Sequence, residues 1–205
     1  IAVPSSYVEE TFIKRGIAKE KLFKNYLGVD IEKFKRNKEN NKLKTKTLKA
    51  IYAGTISIRK GIPDLIEAFN MLKEYDINLT MIGGISTELK QIMKRKSQNI
   101  KWIGHVKQDD LVKYYQNSDI FVIASIEEGM AMVQMQALSC GLPLICTTNT
   151  GGEDLLNMND NNPISRGMNI KEYNAGYVIP INSPQAIAWC IKELKNNNSL
   201  LKKKS

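Results

Sequence analysis

Glu127-Glu-Gly-Met-Ala-Met-Val-Gln-Met-Gln-Ala-Leu-Ser-Cys-Gly-Leu-Pro143 is the stretch that decides the fold. An apolar run at 120–124 precedes it and another at 144–146 follows. The order is strand, acidic glycine turn, short helix, glycine, proline, strand. In a parallel α/β sheet such a turn sits at the carboxyl ends of the strands, where ligands bind. A carboxylate there can accept hydrogen bonds from two vicinal sugar hydroxyls. Gly129 lets the backbone turn sharply. The amides of Met130, Ala131, Met132 and Val133, at the start of the helix, are then free to meet phosphate oxygens.

Outward from this run the pattern repeats. Strands are expected at 49–53, 78–82, 100–103, 120–124, 144–147 and 176–179. Between them, Ile62, Leu65, Ile66 and Phe69 fall at helical spacing, with Pro63 suited to a first turn. Leu111, Tyr114 and Tyr115 make a second stripe. Ala186, Ile187, Cys190, Ile191 and Leu194 make a third, opening at Ser183-Pro184. Strands alternating with helices predict βαβ units: an α/β, Rossmann-like open parallel sheet with right-handed crossovers and helices on both faces. Ahead of it, residues 1–4 read as the end of a strand. A helix follows to about Arg15, capped by Ser5 or Ser6, with Glu9 completing a capping box on Ser6. Residues 23–34 read as an extended connector, and the Asn- and Lys-rich stretch 35–46 as a linker. The expected division is 1–46, a remnant of a preceding domain plus connector; 47–195, the ligand-binding domain; and 196–205, a basic tail that frays.

Composition bounds the partners. The 205 residues are 42% hydrophobic and 25% charged, as in a soluble globular protein. The net charge is +9, from 30 Lys+Arg against 21 Asp+Glu. Such an excess favours acidic partners. Much of it lies in solvated stretches at 42–49, 94–96 and 202–204, and an anionic membrane surface is the lesser reading. Cys140, Cys146 and Cys190 sit in apolar patterns with no CxxC, so buried free thiols in a reducing compartment are expected. His105 is the single histidine, which excludes a multi-histidine metal site. No apolar run is long enough to span a membrane, and no signal peptide pattern is present. The start at Ile1 suggests a piece of a longer chain.

Other turns carry chemistry too. After the first core strand come Gly54-Thr-Ile-Ser-Ile-Arg-Lys-Gly61. Arg59 and Lys60 stand before a helix start, which suits an anion such as a diphosphate. A basic surface loop is the bland alternative, and both phosphate-loop glycine fingerprints are missing. Gly83 and Gly84 end the second strand, as a close approach to ligand or a tight turn. Ile103-Gly-His105-Val106 ends the third. His105 could stack on a base, bond a phosphate, or be structural. A polar turn at 147–152 faces the same crevice.

These turns, in this order, resemble the C-terminal donor-binding domain of retaining glycosyltransferases with the GT-B fold, of the family-four type. The resemblance covers roughly residues 20 to 195. It rests on Gly54 with Lys60-Gly61, Gly83-Gly84, Trp102-Ile-Gly104, Asp119-Ile-Phe-Val122, and Glu128, Gly129, Ala137, Gly141 and Pro143. Leu27-Gly-Val-Asp30 with Phe34 resembles the family's interdomain connector. Two positions depart: Thr55 stands where the family has a diphosphate-binding arginine, and Gln136 where it has a ribose-binding glutamate.

The resemblance implies transfer of a sugar from a nucleotide-diphosphate sugar to a hydroxyl acceptor, with retention and with neither metal nor cofactor. Lys60, Arg59 and the amides after Gly129 would neutralise the diphosphate. Gly54, Thr55 and Gly83 would flank it. Glu128, with Lys60 in the catalytic pair, would hold sugar hydroxyls. Gln136 would face the ribose, and the backbone from Ile103 past His105 would meet the base. The acceptor domain is missing, so binding without transfer is expected of this chain. No nucleic acid partner is implied. The setting implied is cytoplasmic cell-envelope polysaccharide synthesis, with peripheral attachment at the inner face of the membrane as an option. A GT-B sugar epimerase and a non-catalytic module with a decayed site are the competing readings.

Overall fold

The computed structural model describes residues 1–37, 47–90, 98–158 and 162–205. The expected linker lies outside these from residue 38 on, as does the basic stretch at 94–96.

Chain order begins with a small unit. Strand β1 (Ala2–Val3) runs into helix α1 (Ser6–Lys14) and returns as β2 (Phe23–Lys24), which pairs with β1 in parallel. Ser5, not Ser6, caps α1: its Oγ accepts from the Val8 amide at 3.3 Å. The expected Ser6–Glu9 capping box does not form, because the Ser6 amide donates to Asp154 Oδ2 at 2.7 Å.

The main sheet holds β3 (Leu48–Ala53), β4 (Ile77–Ile82), β5 (Ile100–Gly104), β6 (Ile120–Ile123), β7 (Leu144–Thr147), β8 (Ile164–Arg166), β9 (Ile170–Tyr173) and β10 (Gly176–Ile179). Their order is β5-β4-β3-β6-β7-β10-β9-β8. All pairings from β5 to β10 are parallel, and β9 and β8 extend the edge antiparallel. Every residue of β6, β7 and β10 is buried. Strands covered on both faces explain why these segments read as continuous apolar runs rather than alternating ones. Each fully buried Ile, Leu, Val or Phe contributes about 1.5–3 kcal/mol.

Among the described residues, the helices that cover the sheet are α2 (Ile62–Met71), α3 (Gln108–Gln116), α4 (Met132–Ser139), α5 (Gly152–Asn157) and α6 (Pro184–Asn196). From β3 the chain steps outward to β4 and β5. It then reverses, placing β6 on the other side of β3. With right-handed crossovers this reversal puts α3, α4 and α5 on the face opposite α2. Helix α6 returns to the α2 face and packs on α2. The stripes read from sequence are the buried faces: Ile62, Leu65, Ile66 and Phe69 in α2, and Ala186 through Leu194 in α6. The expected α/β sheet with helices on both faces is therefore present.

Two features were not foreseen. The hairpin β8–β9 is short and charged, so no periodicity marks it. The end of the chain, expected to fray, folds as helix α7 (Asn198–Lys204) and buries Leu201 and Lys204.

Candidate functional site

The reversal between β5 and β6 makes β3 and β6 neighbours whose chains leave in opposite directions. Such a switch point opens a crevice at the carboxyl ends of the two strands. Here it is a hollow of ≈ 250 Å³ between the turns after β3 and β6. Gly54, Thr55 and Lys60 form one wall, and Glu128, Ala131, Met132 and Val133 the other. Tyr52, Ala53 and Ile123 also line it.

Lys60 and Glu128 meet across this hollow as an ion pair, with side chains 15% and 20% exposed. The turn from Ser57 to Gly61 presents Lys60. Its amide donates to Ser57 O at 3.2 Å, and that of Gly61 to Ile58 O at 2.8 Å. Gly61 has φ +63°, and a Cβ there would sit 1.8 Å from the Ala124 carbonyl oxygen. Only glycine lets this turn lie against the end of β6. Burial, and then the neighbouring Arg59 charge, hold the Lys60 ammonium below its usual pKa. The Tyr52 hydroxyl is buried and pushed up in pKa by that burial. It donates to Thr55 O at 2.8 Å and so fixes the first turn. Helix α4 opens after Ala131 with no side-chain cap, so its first amides have no intrahelical acceptor.

The other candidate residues fall elsewhere. Arg59 is exposed, and its guanidinium donates to Glu127 O at 3.2 Å, bracing the acidic turn rather than lining the hollow. Gly129 turns toward α1, and its carbonyl accepts from Ser5 Oγ at 2.5 Å. Met130 is buried. Both polar groups of the Gly83 backbone are engaged: its amide donates to Gly104 O and its carbonyl accepts from Trp102 Nε1, each at 2.8 Å. A Cβ at Gly83 would lie 1.9 Å from Gly54 O, so this glycine serves the packing of the first two turns. Ile103 and His105 line a second, larger groove of ≈ 760 Å³ between α3 and strands β3–β5. It shares no lining residue with the first, and we place the chemistry in the smaller hollow because the ion pair stands there.

Gln136 is 4% exposed and does not line the hollow. Its Oε1 accepts from the Tyr115 hydroxyl at 3.4 Å, in the core between α4 and α3. The expected ribose-facing residue thus stands in the core, bonded to Tyr115, in this structure. The three cysteines are buried and unpaired, and burial pushes Cys140 up to about 11 and Cys146 to about 12. Among the described residues no group of three His, Cys, Asp or Glu could hold a metal ion. No helix there is long and apolar enough to cross a membrane.

Sequence reading took Ser5 only as a possible helix cap and gave Tyr52 and Asn149 no role of their own, yet all three hold the crevice turns.

Fold and site together define an α/β domain with a hollow at its switch point, where a lysine faces a carboxylate. The model of the family of glycosyl transferases group 1 matches residues 33–205, and the chain belongs to that family. Among its relatives is the capsular polysaccharide biosynthesis glycosyltransferase CapM of Staphylococcus aureus, 29% identical over 187 residues, covering 84% of this chain and 44% of that protein. Another is the O-antigen chain mannosyltransferase B of Escherichia coli, 31% identical over 109 residues, covering 49% of this chain and 29% of that one. The chain thus spans less than half the length of these relatives. The sucrose-phosphate synthase of Thermosynechococcus elongatus superposes with a TM-score of 0.78 at 18% identity, covering 99% of this chain and 50% of that one. HepE of Anabaena, in complex with UDP and glucose, gives 0.75 at 18% identity, covering 99% and 55%. At such identities the likeness shows the fold, which is the GT-B type expected.

Proposed function

We propose that this chain is the donor-binding half of a glycosyltransferase that moves a sugar from a nucleotide-diphosphate sugar to a hydroxyl acceptor. The observation that carries it is the Lys60–Glu128 pair facing across the switch-point hollow, beside the uncapped start of α4. On donor binding, Lys60 exchanges the Glu128 carboxylate for the diphosphate, and the first amides of α4 complete the anion site. Glu128, released, accepts hydrogen bonds from sugar hydroxyls. As the glycosidic bond to phosphate breaks, Lys60 and the amides stabilise the charge growing on the leaving diphosphate. The base extends toward the end of β5 near Ile103 and His105. Solved neighbours holding UDP, or UDP with glucose, support a nucleotide-sugar ligand. Relatives named for capsular and O-antigen synthesis support an envelope-polysaccharide acceptor. Retention, a metal-free diphosphate site, a cytoplasmic setting and attachment to an anionic membrane surface rest on the family-four resemblance and the basic excess. The acceptor and the rest of the cleft belong to a preceding domain.

Isothermal titration with UDP-glucose and GDP-mannose, their bare diphosphates and the nucleosides tests this reading. Weak binding of one pair and no sugar transfer by this chain are expected. Lys60→Ala should weaken the diphosphate about 10–100-fold and the nucleoside hardly at all. Silence at millimolar ligand overturns the reading, and equal losses would show that Lys60 does not touch phosphate. A non-catalytic module is the second reading, favoured by the core placement of Gln136. Donor binding without turnover by the longer protein would support it.

A further inference from the structure

The main chain of the acidic turn from Ser125 to Gly129 is held by a set of hydrogen bonds separate from the Lys60–Glu128 ion pair. Thr147 Oγ1 donates to Ser125 O at 2.5 Å. The Ile126 amide donates to Arg59 O at 2.9 Å, and the Arg59 guanidinium to Glu127 O. Asn149 grips the turn twice. Its Nδ2 donates to Ile126 O at 3.0 Å, and its own carbonyl accepts from the Glu128 amide at 2.8 Å. Thr148 Oγ1 donates to Asn149 Oδ1 at 3.1 Å, which assigns the amide with its nitrogen toward Ile126. The turn Thr148–Thr150 departs from helical dihedrals at Asn149 (φ −99°, ψ 24°), and this kink carries the side-chain and main-chain contacts to two different residues of the neighbouring turn.

We propose that Asn149 is the positioning residue for Glu128. It spans the residues on either side of Glu127, fixing the height and heading of the Glu128 backbone and therefore where its carboxylate stands opposite Lys60. The main-chain bond survives any substitution. The side-chain bond, together with those of Arg59, stops the turn from rolling about it. The proposal rests on the reading that Glu128 meets the sugar of a nucleotide-sugar donor. On that reading Asn149 acts on recognition of the sugar, while the diphosphate, held by Lys60 and the amides of α4, is indifferent to it.

The experiment is a thermodynamic cycle read as the ratio of Kd for a nucleotide-diphosphate sugar to Kd for its bare nucleoside diphosphate. The probes are UDP-glucose with UDP and GDP-mannose with GDP. In Asn149→Ala the ratio should rise about tenfold, with the bare diphosphate unchanged within about twofold. Asn149→Asp, which fills the same space but cannot donate from its carboxylate, should behave like Asn149→Ala. In a Glu128→Gln background, Asn149→Ala should add nothing to the ratio, because the group it positions is already lost. A purely structural role would weaken sugar and diphosphate together, and that result overturns the proposal. So does an unchanged ratio, or an additive effect in the double variant. Wild-type protein that binds no diphosphate overturns the donor reading itself. A Glu128→Gln ratio equal to wild type, with diphosphate binding intact, removes Glu128 from the sugar and Asn149 with it.

Discussion

Gly61 concentrates several constraints in one position. Its φ of +63° lies in the left-handed region, and a methyl group there would stand 1.8 Å from the Ala124 carbonyl oxygen. Gly61→Ala must therefore strain the backbone and push the turn before α2 away from the end of β6. A stability loss of about 2–4 kcal/mol is expected from the urea midpoint. A loss below about 1 kcal/mol would show that the turn relaxes freely. Because Lys60 is its neighbour, the same substitution disturbs the Lys60–Glu128 pair. Gly61, Lys60 and Glu128 were all legible in the sequence, because glycine and charge at a strand end carry their own chemistry. The orientation of Gln136 was not. Helix spacing assigns it a place on α4, but only the position of α3 decides that its amide meets Tyr115. Arg59 is a similar case: composition suggested an anion ligand, and the carbonyl of Glu127 takes its guanidinium instead.

Among the elements, α7 owes its place to three charges. Glu172 is 7% exposed. It accepts from Arg166 Nε at 2.7 Å and pairs with Lys204 Nζ at 3.1 Å. The Lys204 ammonium also donates to Tyr173 O and lies 4.8 Å from the centre of the Tyr177 ring. Burial raises the Glu172 pKa, but the bonds from Arg166 and Lys204 outweigh it and hold the carboxyl below its ordinary 4.5. A depressed folded pKa means the unfolded chain takes up the proton first on acidification. The stabilisation is full above pH 4.5 and drains as pH falls through the folded value. Glu172→Gln should therefore cost about 2–4 kcal/mol at pH 7, and the gap from wild type should narrow below pH 4.5. A gap that stays constant to pH 3 would separate this cost from ionisation. The segment at 196–205 read as a fraying tail because its lysines match no apolar stripe. Its helix depends on a buried carboxylate supplied by a strand pair that no periodicity announced.

Across the whole molecule, two bodies of unequal solidity share one chain. The unit β1–α1–β2 has its own two-stranded sheet, and α1 buries none of its residues. Ser5 bonds it to Gly129 of the acidic turn, and the Ser6 amide to Asp154 of α5. Strands β6, β7 and β10 lie buried on both faces. Amide hydrogen exchange should accordingly be slowest in those strands and faster by orders of magnitude in β1, β2 and α1. Equal protection throughout would mean that the unit folds and opens with the sheet.

The succession of apolar strands, helical stripes and glycine turns by itself determined an open parallel sheet with its crevice turns at the carboxyl ends. These signals are local, since burial on both faces and sharp turns write themselves into neighbouring residues. Tertiary structure alone decided that Lys60 faces Glu128, that Asn149 holds the acidic turn, and that Lys204 is buried. Each joins residues brought together by the order of strands in the sheet, and a hydrogen bond or ion pair across such a distance leaves no periodicity in the chain.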